Sequence, residues 1–219
     1  LMPRYAIETT VDLGGMDPNN TRGDYTVFNT AGRDRDGRLD VLSIQRGRFS
    51  DEQIIELFFL IQQTYPMNQR FKMQKDHLTV GLQSGLRREM AKRQKWRVIE
   101  PRTISTTESK RYRIKRSLQG WFKMGLIRFC DAIGSWERPT ATSDALIHEI
   151  LRFPKGANDD ILDTLADHFM DRDGEMSLDS VPGDKPETEP RLFKLPEFDP
   201  FKVYHEPDMS DYYAAVTGV

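Results

Sequence analysis

The hydrophobic period of this chain changes at Ser50, and that switch restricts the folds open to it. Before Ser50, apolar and β-branched residues fall at every second position; after it, helical spacing alternates with short strand-like runs. Tyr5 to Asp12, Tyr25 to Thr30 and Leu39 to Gln45 are predicted strands. Asp17-Pro18-Asn19-Asn20 reads as a loop, and Arg33-Asp34-Arg35-Asp36-Gly37 as a hairpin turn. Ser50-x-x-Gln53 is a capping box, and Ile54, Leu57, Phe58 and Ile61 then mark an amphipathic helix from Asp51 to Thr64.

Downstream the pattern predicts a strand at Phe71 to Lys75, a helix at Leu78 to Lys92, and a strand at Trp96 to Ile99 stopped by Pro101. A basic helix at Glu108 to Phe122 and a short strand at Leu126 to Phe129 follow. Ser143 is the expected cap of a helix to Phe153, and Asn158 of a last helix through about Phe169. Three antiparallel strands followed by alternating strands and helices describe an α/β fold, with a mixed sheet covered by helices on both faces. A ribonuclease H-like fold has this order. One domain is expected over residues 1–170. Residues 171–219 form an acidic, proline-rich tail, with 12 acidic against 5 basic residues, too polar for a packed core.

The overall net charge of -2 conceals a strong asymmetry. Arg70 to Arg128 holds 17 Lys/Arg against 4 Asp/Glu, whereas the remainder holds 15 against 30. A basic stretch of that length suits an anionic polymer such as nucleic acid better than a merely solvated helix face. Cys130 is the one cysteine, which excludes an intramolecular disulfide and a cysteine zinc cage. No apolar run approaches the ~18–20 residues that span a bilayer, so no membrane partner is expected. No G-x-x-x-x-G-K-[ST] loop occurs either.

Acidic residues stand at element ends. Asp12 closes the first predicted strand, Asp76 follows the fourth, and Asp159 and Asp160 open the last helix. Asp24 starts the second strand, and Asp163 lies four residues after Asp159 on one helix face. Singly, each has a structural reading: Asp12 as a turn residue, Asp76 as a helix cap, the doublet as a complement to the helix dipole, Asp163 as the partner of an Arg or Lys. Together, on one sheet edge, they suit two Mg2+ or Mn2+ ions about 3.5–4 Å apart, the arrangement for phosphodiester hydrolysis.

Several motifs carry a family resemblance. Thr10-Val11-Asp12, Gly23-Asp24-Tyr25-Thr26-Val27, the Asp34-Arg35-Asp36-Gly37 turn, Leu39-Asp40-Val41-Leu42 and Gly47-Arg48-Phe49-Ser50 come first. Ser109-Lys110-Arg111-Tyr112-Arg113-Ile114 follows, then Leu151-x-Phe153-Pro154-x-Gly156 and Asn158-Asp159-Asp160-Ile161-Leu162-Asp163-Thr164-Leu165. In this order they resemble the C-terminal nuclease domain of the phage large terminase subunit. The chain departs from that pattern at Asp76, often Glu in the family, at Asn158, where His is common, and at Thr164, where Ala follows the third acid.

The resemblance implies a DNA endonuclease using Mg2+ or Mn2+. Asp12, Asp76 and one or both of Asp159 and Asp160 would bind two ions, with Asp24 and Asp163 in support. Lys110, Arg111 and Arg113, joined by Arg87 and Arg88, would meet the phosphates of double-stranded viral DNA. An N-terminal ATPase domain would precede this one in the same polypeptide, and the portal protein and small terminase subunit would be partners. The setting would be the host cell cytoplasm, on the procapsid. A junction resolvase, a transposase core and a non-catalytic DNA-binding module are the competing readings.

Overall fold

The computed structural model describes residues 6–14, 24–34, 37–74, 77–102, 108–134 and 140–170. Asp76, the Asp17–Asn20 loop, the tip of the hairpin turn and the 171–219 tail lie outside them. The strands are β1 (Ala6–Asp12), β2 (Thr26–Arg33), β3 (Leu39–Gly47), β4 (Asn68–Gln74), β5 (Val98–Arg102) and β6 (Ile127–Phe129). The helices are α1 (Asp51–Thr64), α2 (His77–Arg93), α3 (Lys110–Lys123), α4 (Ala141–Arg152) and α5 (Asp160–Asp167), with a short 3-10 turn at Asp131–Ile133.

All six strands form one sheet in the order β5-β4-β1-β2-β3-β6. β1, β2 and β3 pair antiparallel, whereas β4 joins β1, β5 joins β4 and β6 joins β3 in parallel. This is the ribonuclease H-like topology, extended by β6 at one edge.

β2 sits mid-sheet and is buried on both faces, so its alternate residues feed two cores. Phe28 joins Val11, Phe71 and Met73 under α1 and α2, where Phe58 meets the Phe28 ring edge-on at 5.1 Å between centroids. Val27 and Ala31 point to the opposite face and pack with Val41, Ile114, Leu118 and Leu165 beneath α3, α4 and α5. The same period of two turns Glu8, Thr10 and Asp12 of β1 toward α5. Their contacts follow in step. Glu8 Oε1 lies 3.1 Å from His168 Nδ1, and Thr10 Oγ1 donates to Thr164 O at 2.9 Å. Four residues of strand cover about 13 Å and eight of helix about 12 Å, so α5 stays matched to β1 along its length.

Local chemistry explains where three expected boundaries shift. β5 runs through Pro101 instead of stopping before it, because β5 is an edge strand where a missing N–H breaks no central ladder. Helix α4 is capped by Thr140, not Ser143. Thr140 Oγ1 accepts from the Ser143 amide at 3.1 Å, and Ser143 Oγ, on the third helical residue, accepts from the Thr140 amide at 2.8 Å to complete a capping box. The cap residue of α5 is Asp159 instead of Asn158, and its side chain makes no capping hydrogen bond. By contrast, α1 keeps the bounds and the Ser50–Gln53 box read from sequence.

Because Phe28 is fully buried in the core beneath α1 and α2, with its ring against Phe58, Phe28→Ala is expected to cost about 3–5 kcal/mol. Urea unfolding checks this: the midpoint drops while the slope stays near that of wild type.

Candidate active site

Because β1 and β4 are parallel neighbours, their C-terminal ends open on the same sheet edge. There Asp12, Asp24, Asp160 and Asp163 line one cavity of about 350 Å3, with Gln74, Glu108, Lys110 and Arg113. Four of the sequence-nominated acids therefore converge from β1, the start of β2 and α5. Asp159 of the doublet lies at the rim, with its carboxylate 2.8 Å from Lys110 Nζ, whereas the Asp160 side chain faces inward.

The cavity concentrates negative charge. Burial pushes the Asp12 carboxyl up to about 8; Asp163 adds to the rise, Lys110 opposes it, and Asp160 and Asp167 add further. Asp160 is also raised, by burial above all, against Lys110 and with Asp24 contributing. Two cations hold the acids together. Lys110 Nζ lies 2.8 Å from Asp159, 3.4 Å from Asp163 and 3.8 Å from Asp160. Although burial alone would lower it, Asp163 and Asp159 hold the Lys110 pKa above its usual value. Arg113 pairs with Asp163, whose other oxygen accepts from Gln74 Nε2 at 3.3 Å.

Two nominated residues, Arg113 and Arg88, sit differently from the sequence expectation. Arg113 is only 4% exposed and spends its guanidinium on Asp163, so it cannot serve as a surface phosphate contact in this arrangement. Asp163 matches its alternative reading as a partner of basic residues. Arg88 lines a separate cleft of about 490 Å3 between α1 and α2, with Asp51, Glu52 and Glu56. That cleft is larger, but it shares no lining residue with the carboxylate cavity, which alone gathers the nominated acids. Arg87 and Arg111 are exposed, and Lys110 is 40% exposed at the rim.

Sequence reasoning missed two groups. Asp167 pairs with Arg102 at the far end of α5, and burial with help from Asp163 pushes it up to about 6, against Arg102. Asp160, Asp163 and Asp167 fall at i, i+3 and i+7, a stripe that would have revealed it. Glu149 of α4 has no such signal. Its Oε2 accepts from the Ile161 and Leu162 amides at 2.9 and 3.1 Å, capping α5 from another helix. Burial raises it to about 7, opposed by the Leu162 amide.

No protein-family model and no curated protein sequence matches the chain. Solved structures that align with most of the chain include three nucleic-acid enzymes. The human cytomegalovirus terminase nuclease domain, soaked with Mn, is 9% identical, with 74% of this chain and 81% of that chain covered and a TM-score of 0.49. A yeast mitochondrial Holliday junction resolvase is 11% identical, with 75% and 76% covered and a TM-score of 0.42. Fowlpox virus resolvase, in complex with a Holliday junction, is 14% identical, with 73% and 91% covered and a TM-score of 0.38. At such identities the likeness is one of chain path, and residue roles rest on the geometry above.

The acidic side chains at the cavity offer carboxylate oxygens, the chemistry of a hard divalent cation. Asp160 Oδ2 is buried without a hydrogen-bond partner, so it retains acceptor capacity for such an ion. Among the described residues, no three acid, His or Cys side chains meet closely enough to hold a metal by themselves. Mg2+ commonly uses one or two carboxylates and completes its shell with water and phosphate, which this donor set can accommodate.

The raised carboxyls fix a pH dependence for the metal-free protein. Native Asp12 keeps its proton up to about 8, whereas an unfolded Asp loses it near 3.8, so between these values the native state binds more protons. Stability from this group therefore falls as pH rises from about 4 to about 8. Asp12→Asn is expected to be more stable than wild type at pH 8, on the order of a few kcal/mol, with the difference vanishing toward pH 4. Urea midpoints of both proteins across that range read it directly.

Proposed function

We propose that this chain is a divalent-metal-dependent DNA endonuclease domain of the kind found in viral genome-packaging terminases. The convergence of Asp12, Asp24 and Asp160 on one cavity at the edge of a ribonuclease H-like sheet carries this reading. The ordered motifs from Thr10-Val11-Asp12 to the Asp159-Asp160 doublet support the terminase assignment. Asp12, Asp24 and Asp160 would hold Mg2+ or Mn2+, with Asp76 and Asp159 as further candidate ligands. Bound there, the ions supply water activation and neutralise charge on the phosphate under attack.

The chain's own residues do the positioning. Lys110 and Arg113 hold Asp163 in place, and Gln74 fixes its second oxygen. The backbone of Tyr25 beside the Asp160 carboxyl favours its charged form. Lys110 at the rim and exposed Arg111 face the side from which a phosphate backbone would arrive. Such contacts position DNA without reading sequence, which suits a cutter of long viral concatemers with little base preference. The ATPase domain, the portal protein and the small terminase subunit belong to this proposal as partners, and the procapsid in the host cytoplasm as its setting.

Plasmid incubated with the protein and Mn2+ is expected to be nicked and linearised, and EDTA to abolish this. Asp12→Asn and Asp160→Asn should each lower cleavage by more than about 100-fold while duplex retention in gel shift stays at the wild-type level. Undiminished cutting by either variant would remove these aspartates from the chemistry. Intact plasmid with a protein that still binds duplex would favour a non-catalytic DNA-binding module.

A further inference from the structure

Helix α5 carries Asp160 at its first position, yet its own sequence does little to hold that end. The helix has 8 residues, about two turns, a length at which helical propensity alone is marginal. Its first internal hydrogen bond runs from the Asp163 amide to Asp159 O at 2.8 Å, so the amides before Asp163 have no acceptor within the helix. Asp159 stands in the cap position and gives them no side-chain oxygen.

Glu149 of α4 supplies that oxygen. Its Oε2 accepts from the Ile161 and Leu162 amides at 2.9 and 3.1 Å, the two that directly follow Asp160. The carboxylate extends from a firmly seated part of α4: Leu146 and Ile150, on either side of Glu149, pack in the core shared with α3 and α5. Glu149 itself is only 4% exposed. Its other oxygen, Oε1, makes no hydrogen bond and has Arg46 Nε at 3.8 Å. A carboxylate buried among apolar side chains costs stability unless hydrogen bonds offset it, and the two amides are the hydrogen bonds it makes.

The consequence falls on Asp160. Its Oδ2 is buried without a hydrogen-bond partner. Lys110 Nζ lies 3.8 Å from its Oδ1 but closer to Asp159 and Asp163, at 2.8 and 3.4 Å. The backbone of Tyr25 beside it favours its charged form. The aim of this carboxylate into the cavity therefore depends on the first turn of α5, and that turn is held from α4.

We propose that Glu149 is a positioning residue for the candidate metal site: by accepting the Ile161 and Leu162 amides it fixes the start of α5, and with it the direction in which Asp160 presents its unpartnered oxygen to a divalent cation. This inference rests on the endonuclease reading above. Glu149 is absent from the cavity lining, so it acts through Asp160 and not by contact with the cation or with DNA.

Mn2+ is titrated against the protein without DNA, with free Mn2+ read by electron paramagnetic resonance, for wild type, Glu149→Ala, Glu149→Asp and Glu149→Gln. Ala removes the acceptor. Asp keeps the charge but is one methylene too short to reach both amides, whereas Gln keeps an acceptor of the same length without the charge. Ala and Asp are expected to weaken Mn2+ binding by about tenfold or more, and Gln by far less. In plasmid cleavage the Ala and Asp variants should lose kcat to a similar degree, with KM for plasmid at the wild-type value. Phe28→Leu, which loosens the opposite core, should lower the urea midpoint and leave Mn2+ affinity unchanged. Should Glu149→Ala fail to fold, Glu149→Asp decides the matter. Wild-type Mn2+ affinity in a folded Ala or Asp variant would overturn the positioning role alone, and so would an equal loss of affinity in Phe28→Leu at matched stability. A wild-type protein that binds no Mn2+ and leaves plasmid intact would overturn it together with the endonuclease reading.

Discussion

The seam between β1 and α5 is the contact on which the rest of the molecule depends. Every second residue of β1 faces the helix: Glu8 meets His168, Thr10 donates to Thr164, and Asp12 lies close enough to the acids of α5 to feel their charge. Such a seam tolerates little sliding. A slip by one residue would send Glu8, Thr10 and Asp12 into the core beneath α1 and α2, where Phe28, Phe58 and Phe71 pack. The position of Asp12 relative to Asp160 is therefore set by the register of the fold, with no need for a flexible loop to bring them together.

That arrangement forces like charges together in a low-dielectric setting, and the surrounding cations make it tolerable. Arg113 and Lys110 serve Asp163 at the cavity, and Arg102 serves Asp167 deeper in the seam. Glu8 is held below its usual range: burial alone would raise it, but the hydrogen bond from His168 and the Lys72 ammonium outweigh that. Asp12 lacks a dedicated cation and so holds a proton instead.

α5 is short, and its own cap residue supplies no side-chain hydrogen bond. Glu149 fills that role from α4, so the helix that carries Asp160 is anchored by tertiary structure at its first turn. The same carboxylate neighbours Arg46, which places one buried acid between the helix start and the Arg46 guanidinium over the Tyr25 ring. The residue before β2, the end of β3, α4 and the start of α5 meet at this point, although they are far apart along the chain.

The sequence by itself determined the kinds of elements, their order and most of their limits. Side-chain period and capping chemistry are local, so the three-strand opening, the Ser50 box and the edges of α1 needed only neighbouring residues. It also nominated Asp12, Asp24, Asp160 and Asp163, because acids at strand ends and first helical turns stand out in a linear reading. Only the tertiary structure decided which of Asp159 and Asp160 faces inward, that Arg113 is buried against Asp163, that Pro101 sits in an edge strand, and that Glu149 caps a helix it does not belong to. The physical reason is range. Burial, charge pairing and capping between elements depend on what distant segments bring alongside, and no residue's immediate neighbours carry that information.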